Sequence, residues 1–458
     1  MRPFALLILA VFPLMLHAQE ERKLGPVTRS YAITQATIVQ GPGRKIEKGT
    51  VLIKDGLIVA AGKNIPLSAD AIEIKGDSLY VYAGFIDGLS RVGVPKPREE
   101  QSKEKIKDPG NPSPERAGIT PQNDVRSFLN PSDKSVEELR SLGFTTAHVV
   151  PYGGMLPGNG AIVFLGGNSS DDMVVAAKSS LYAELTIAER VYPNTVIGVM
   201  AKWRELYRQS MLTKSYESTY ASNRAGLERP SSDRIYEAFY PVIDKRIPVL
   251  FRAEKALDIH RVLALQADLG FNLIAGNLKE GWDVIPKLKS SGAKVFLSLE
   301  LPEEKKEEKK EDKTTTPETS SLTDSVEKAA LEKRKADFVA LHAGQASTFQ
   351  KAGIPFGFAT LSAKSKDIPS NLQRMIQAGL KEDDALAALT TNAASLLGIS
   401  DRLGTIDAGK VANLVVSDKP YFNEKAKVRY VFIDGIMYKI DSKETEKAVA
   451  EKKTEKPK

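Results

Sequence analysis

The chain has 458 residues, a formal net charge of +7, 42% hydrophobic residues and no cysteine. That length accommodates one large domain with a smaller one beside it, and the absence of cysteine excludes disulfides, thiolate chemistry and cysteine-ligated metals. The modest positive charge lies in lysine runs without interleaved aromatic residues, which argues against a nucleic-acid partner.

In residues 1–18, MRPFALLILAVFPLMLHA, Arg2 precedes an uncharged apolar run, and a small residue precedes a polar stretch. This is the pattern of a secretory signal peptide cleaved after Ala18. The run is shorter than the ~20 residues of a membrane-spanning helix. The mature protein is therefore expected to be exported, periplasmic or extracellular, with no transmembrane segment.

Residues 30–82 read as short strands joined by turns. GTVLIKDGLIVAAG (49–62) predicts a hairpin with Asp55 and Gly56 at its tip, because Asp-Gly between apolar runs supplies the left-handed turn conformation. Residues 94–124, rich in proline, lysine and glutamate, predict a long loop. From about 132 to 400 the pattern changes to apolar strands separated by helix-like segments. Strands are expected at 143–151, 195–200, 247–253, 271–277 and 293–301, and KALDIHRVLALQADLG supplies one intervening helix. Such alternation implies a parallel sheet. Its repetition favours a (β/α) barrel, with a doubly wound sheet as the alternative, for which no Gly-x-Gly-x-x-Gly turn is found. Gly158-Asn159-Gly160 suits a tight hairpin turn.

The segment PEEKKEEKKEDKTTTPETSS interrupts this pattern, and residues 302–325 are expected to form a solvated, disordered insertion. Residues 382–397 predict an amphipathic helix. Residues 401–440 return to short strands, and the Lys/Glu tail 441–458 is expected to be disordered. One β domain, assembled from 30–82 and 401–440, thus flanks a barrel spanning 83–400.

Three segments carry a family resemblance: GTVLIKDGLIVAAG, AGFIDGLSRVG (83–93) and TTNAASLLGISDRLGTIDAGKVANLVV (390–416). They resemble the amidohydrolase superfamily, most closely its imidazolonepropionase-like secreted branch. The resemblance implies a TIM-like (β/α)8 barrel with a small β-sandwich domain. It implies hydrolysis of non-peptide C–N bonds at one or two divalent metals, bound at the C-terminal ends of the barrel strands. It also implies His-x-His after strand 1, a Lys or Glu after strand 4, single histidines after strands 5 and 6 and an Asp after strand 8. GGMLPGNGAIVFLGG (153–167) resembles a loop near the site opening.

This sequence departs from that pattern. The strand 1 positions fall on Leu89 and Arg91, the strand 5 positions on Arg252 and Glu254, and the strand 6 position on Asn277. The strand 8 position falls on Leu361, between Thr360 and Ser362. For strand 4, VIGVMAKWRE leaves Lys202 and Glu205 open. Leucine has no lone pair to donate, and arginine remains protonated. The mature chain has only the widely spaced His148, His260 and His342. His260 and His342 fall on helix faces, whereas His148, near the end of a strand, either lines the barrel mouth or is a satisfied core residue.

The expected mouth therefore comprises Asp87, Arg91, His148, Arg252, Glu254, Asn277 and Ser362. Asp87 with Arg91, and Glu254 with Arg252, are expected as ion pairs in the space a metal would take, with no cofactor. The alternative is one divalent ion, Zn²⁺ or Mg²⁺. The expected function is that of an exported, non-catalytic amidohydrolase-like protein. It would act as a binding protein or as the partner of an active paralogue, in a hetero- or homo-oligomer. The alternative is a C–N hydrolase with an atypical site built from Asp87, Lys202 or Glu205, Glu254 and Asn277, with or without His148.

Overall fold

The computed structural model describes residues 29–97, 108–303 and 322–440. The signal-peptide segment, the tail 441–458 and residues 304–321 of the charged insertion lie outside the described residues.

The first strands are β1 (Tyr31–Gly41), β2 (Arg44–Lys54), β3 (Leu57–Gly62), β4 (Ile72–Lys75) and β5 (Tyr80–Ala83). The last are β14 (Leu414–Ser417), β15 (Val428–Ile433) and β16 (Ile436–Lys439), and β6 to β13 lie between. Both chain ends meet in one eight-stranded sheet of order β16-β15-β14-β5-β1-β2-β3, with β4 also paired to β1. The β2–β3 hairpin turns at Asp55 and Gly56, whose φ values of 50° and 76° are the left-handed conformations expected there. Tyr31 on β1 and Phe432 on β15 have ring centroids 5.4 Å apart although β5 and β14 separate their strands in the sheet order. The sheet therefore folds over itself around a private apolar core that includes Ile33, Ile38, Val51, Val81, Leu414 and Phe432.

The second eight-stranded sheet is the barrel: β6 (Phe85–Ser90), β7 (Phe144–Val149), β8 (Gly158–Phe164), β9 (Val174–Glu184), β10 (Val249–Arg252), β11 (Leu273–Leu278), β12 (Lys294–Ser298) and β13 (Phe356–Ala359). Neighbouring strands are parallel except at β8, which runs antiparallel to both β7 and β9. The expected hairpin turn at Gly158-Asn159-Gly160 is instead the start of β8. The glycine there serves close approach rather than a turn: a Cβ on Gly158 would lie 2.6 Å from the Asn123 carbonyl oxygen. Asn159 Nδ2 in turn donates to the Pro121 carbonyl at 2.8 Å.

Two further expectations change. Residues 195–200 do not form a strand; they open the helix Val196–Ser222, whose N-cap Thr195 accepts from the Gly198 amide at 3.1 Å. A good N-cap outweighed a short β-branched run. Residues 322–325, expected as part of the disordered insertion, instead open the helix Leu322–Lys351. The amphipathic segment 382–397 divides at Thr390 into the helices Glu382–Leu389 and Thr391–Leu397. No helix among the described residues is long and apolar enough to cross a membrane.

Side chains fill the barrel interior, as in a packed barrel core. Phe296 on β12 lies against Gly88 on β6 and Gly357 on β13; a Cβ would meet its ring at 1.8 Å and 2.4 Å respectively. Where β6 meets β13, the Leu361 amide donates to the Leu89 carbonyl at 3.1 Å.

Candidate functional site

The C-terminal ends of β6, β9, β10 and β11 place a network of charged side chains at the barrel mouth. Its centre is Glu184, the last residue of β9 and only 4% exposed. Glu184 Oε1 receives Arg91 Nη2 at 2.5 Å and the Tyr182 hydroxyl at 2.8 Å. Oε2 receives Arg252 Nη1 at 3.1 Å and the Thr186 hydroxyl at 3.0 Å. The Arg91 guanidinium also lies 4.4 Å from the centroid of the Tyr152 ring.

Arg252 extends the network to Glu254. Its Nε and Nη2 lie 2.8 and 2.5 Å from Glu254 Oε1. Lys279 Nζ takes Glu254 Oε2 at 2.8 Å and continues to Glu300 at 2.6 Å. Asn277 Nδ2 donates to Glu254 Oε1 and to Ser362 Oγ, each at 2.8 Å, and the Ser362 hydroxyl donates to Glu254 Oε1 at 3.2 Å. Asn277 reaches this position because β11 is irregular between Ala275 and Leu278, and Asn277 adopts a φ of 61°. Asparagine tolerates that left-handed conformation better than most residues, and such irregularities re-aim side chains beside sites.

The electrostatics follow from this arrangement. Burial opposes ionisation of Glu254, but Lys279 and Arg252 outweigh it and hold the carboxyl below its ordinary value. Burial likewise opposes the charges on Arg252 and Lys279. Glu184 and Glu254 raise the pKa of Arg252, and Glu254 and Glu300 raise that of Lys279. Arg91, Arg252 and Lys279 thus face Glu184, Glu254 and Glu300, and the charges balance.

The structure gathers Arg91, Arg252, Glu254, Asn277 and Ser362 at one place, and Arg252 pairs with Glu254 as expected, but the other expected partnership differs. Arg91 pairs with Glu184 rather than with Asp87. Asp87 is fully buried and stitches β6 to β13: Oδ1 accepts the Thr360 amide at 3.0 Å and the Leu89 amide at 3.2 Å, while Oδ2 accepts the Thr360 hydroxyl. Burial raises its pKa to about 7 despite those hydrogen bonds. The fourth barrel strand, β9, ends at Glu184 rather than near Lys202 or Glu205. Lys202 and Glu205 lie in the helix Val196–Ser222 and pair with each other at 2.7 Å. Glu184 escaped sequence reading because Lys178-Ser179-Ser180 breaks the apolar pattern of β9; only Leu181-Tyr182-Ala183 before it hinted at a strand end.

His148 does not join the network. It is 1% exposed, and its Nε2 lies 2.9 Å from Ser180 Oγ and 3.0 Å from Ser179 Oγ. Ser180 precedes Glu184 by four residues on β9, roughly 13 Å of strand below the mouth. Burial lowers the His148 pKa to about 4. His260 and His342 lie in the helices Ala256–Leu269 and Leu322–Lys351, as expected.

These residues do not fit a divalent metal. Leu89, where the resemblance implies the first histidine, is fully buried, and its Cδ2 lies 2.6 Å from where a Cβ on Gly276 would be. Arg91 stands at the second position. All four carboxylate oxygens of Glu184 and Glu254 face a guanidinium or ammonium group. Among the described residues no group of three or more His, Asp or Glu side chains is placed to hold a metal ion.

Comparison with known proteins is consistent with the architecture. Residues 309–437 match the model of the amidohydrolase family. The structure is similar to an amidohydrolase from Thermotoga maritima, with 21% sequence identity and a TM-score of 0.69, over 90% of this chain and all of that one. It is also similar to a prolidase complexed with N-methylphosphonate-L-proline, with 16% identity and a TM-score of 0.50, over 90% of this chain and all of that one. No curated protein matches the sequence. Residues 309–437 are thus similar to the amidohydrolase family, and the barrel fold is similar to that of a solved amidohydrolase.

Proposed function

We propose that this protein is an exported, non-catalytic relative of the amidohydrolases, which acts by binding, either alone or as partner of a catalytically competent paralogue. The observation that carries this reading is the joint hold of Arg91 and Arg252 on Glu184. A carboxylate that could serve a metal or activate water is committed to two guanidinium groups, and Leu89 stands where the resemblance implies a histidine. Residues 1–18 support export.

Metal titration of the purified chain tests the proposal. Zn²⁺, Mn²⁺ and Mg²⁺ are expected to bind below one equivalent, and weak binding should be unchanged in Glu184→Gln. One tightly bound equivalent that Glu184→Gln abolishes, together with hydrolysis of an amide or ester panel, would overturn it. The partner role is tested by mixing the chain with a relative that has an intact His-x-His. Co-elution on size exclusion supports pairing, and independent elution favours binding without that partner.

A further inference from the structure

The helix Leu322–Lys351 has 30 residues, against 14 in Ala256–Leu269, which follows β10. From His342 onward it packs on the body, burying Ala343, Ala346 and Phe349. Gln345 fixes its level. Its Nε2 donates to the Leu278 carbonyl at 3.0 Å and its Oε1 accepts the Gly281 amide at 2.6 Å, at the C-terminal end of β11. The helix then closes at Lys351, ahead of β13. Its earlier turns therefore run past the mouth end of the barrel, and Leu331 stands roughly 20 Å beyond Gln345. An aromatic brace sets the direction of this arm: the Phe338 ring lies 4.1 Å from His342, which lies 5.1 Å from Trp282.

Every residue from Leu331 to Leu341 is exposed apart from the half-buried Val339. A solvated helix segment of this length is marginal by itself. Its pattern suits a second helix. Leu331, Phe338 and Leu341 are exposed large apolar side chains, and with Arg334 they recur at intervals of three and four residues, the a and d seam of a coiled coil. The chain's own remaining segments do not suit this seam. Outside the described residues and beyond Ala18, the large apolar residues are Leu24, Val27, Ile106 and Val449, too few and too scattered to cover it.

We infer that the chain forms a homodimer through this arm, with two antiparallel copies packed along the seam Leu331–Arg334–Phe338–Leu341. The seam is self-complementary about one point. Leu331 and Leu341 lie five residues either side of Ala336, and Arg334 and Phe338 lie two either side. A twofold axis at the level of Ala336 sets Leu331 of one copy against Leu341 of the other. It also sets Arg334 against the Phe338 ring, a cation on an aromatic face. By composition, residues 322–341 hold four acidic and four basic residues, so two arms meet without net repulsion. Because Gly281 follows Lys279 by two residues, the second copy stands beside the barrel mouth. The inference is independent of whether that mouth is catalytic.

Sedimentation velocity on the mature chain tests this, and a dimer that dissociates on dilution is expected. Leu331→Glu/Leu341→Glu, at exposed positions, should weaken it by roughly tenfold or more, while circular dichroism shows the fold retained. Arg334→Ala should weaken it about two- to fivefold. The absence of native cysteine lets disulfide trapping read the orientation. A mixture of Leu331→Cys and Leu341→Cys chains should crosslink roughly tenfold faster than either alone, because only that pair comes within disulfide reach. A parent chain that stays monomeric at its highest soluble concentration, or associates only when a relative is added, overturns self-pairing. A dimer unaffected by Leu331→Glu/Leu341→Glu overturns the surface. Single-cysteine chains that crosslink alone as fast as in the mixture overturn the antiparallel seam.

Discussion

Arg91 Nη2 and Glu184 Oε1 lie 2.5 Å apart although 93 residues separate them in the chain. Their side chains are 18% and 6% exposed. Arg252, 31% exposed, holds the other oxygen of the same carboxylate. A carboxylate shared by two arginines in this setting is a structural joint between β6, β9 and β10.

Glu184→Gln should be markedly destabilising. It removes the negative charge and leaves both guanidinium groups facing a neutral amide. Breaking a fully buried pair costs about 3–5 kcal/mol. The partial exposure of Arg252 lets water recover some of that, so a loss of roughly 2–3 kcal/mol is expected. Urea unfolding measures it; a midpoint equal to that of the parent would show that the joint adds nothing.

Leu89→Ala should open a cavity against Gly276 and Leu250, at a cost of about 2–4 kcal/mol. Gly276→Ala creates the opposite fault, because its Cβ would sit 2.6 Å from Leu89 Cδ2. Combining the two should recover part of the stability lost by each, since the deleted methyl groups make room for the new one. Additive losses in denaturant melts would contradict the packing described.

Gly88→Ala should be worse than Gly276→Ala. Its Cβ would lie 1.8 Å from a carbon of the buried Phe296 ring, which has little room to move, whereas Leu89 is an aliphatic chain with rotamer freedom. Soluble yield and thermal midpoint report the order; equal tolerance of both alanines would show that the interior is less tightly filled.

The pH dependence of stability should contain two opposing contributions. Asp87 has a folded-state pKa raised to about 7, so its contribution is present below its unfolded value and is lost as pH rises through about 7. His148 has a folded-state pKa lowered to about 4, so stability is lost as pH falls from its unfolded value of about 6.5 towards 4. Between about 4 and 6.5 the folded state holds an extra proton on Asp87 and lacks one on His148, and the two slopes oppose each other. Asp87→Asn should therefore make stability rise more steeply with pH in that window, and His148→Gln should make it fall. Denaturant midpoints at half-unit pH steps would show this; identical slopes in both variants and the parent would refute it.

Much of the architecture is local and therefore legible in sequence. The Asp55-Gly56 turn needs only two left-handed residues between apolar runs, and β10, β11 and β12 show in their apolar composition. Gly84-Phe85-Ile86-Asp87 marks the first barrel strand, and Leu89 and Arg91 stand where the resemblance implies two histidines. The pairing of Arg252 with Glu254 was also accessible, because two residues suffice to bring the side chains together at a strand end. Local readings failed where a competing local signal won. Thr195 capped a helix over an expected strand, and the glycines around Asn159 served close approach instead of a turn.

The identity of the residue that holds Arg91 was decided only by tertiary structure. Asp87 is nearer in sequence, but the close of the barrel turns it into the β6–β13 seam, where Thr360 supplies donors. Glu184 reaches the mouth because β8 runs antiparallel and delivers β9 alongside β10, a connection that no short-range pattern encodes. Sequence composition alone determined that the implied histidine set was missing. Which charges fill its place depends on contacts between strands far apart in the chain, and those form only when the barrel closes.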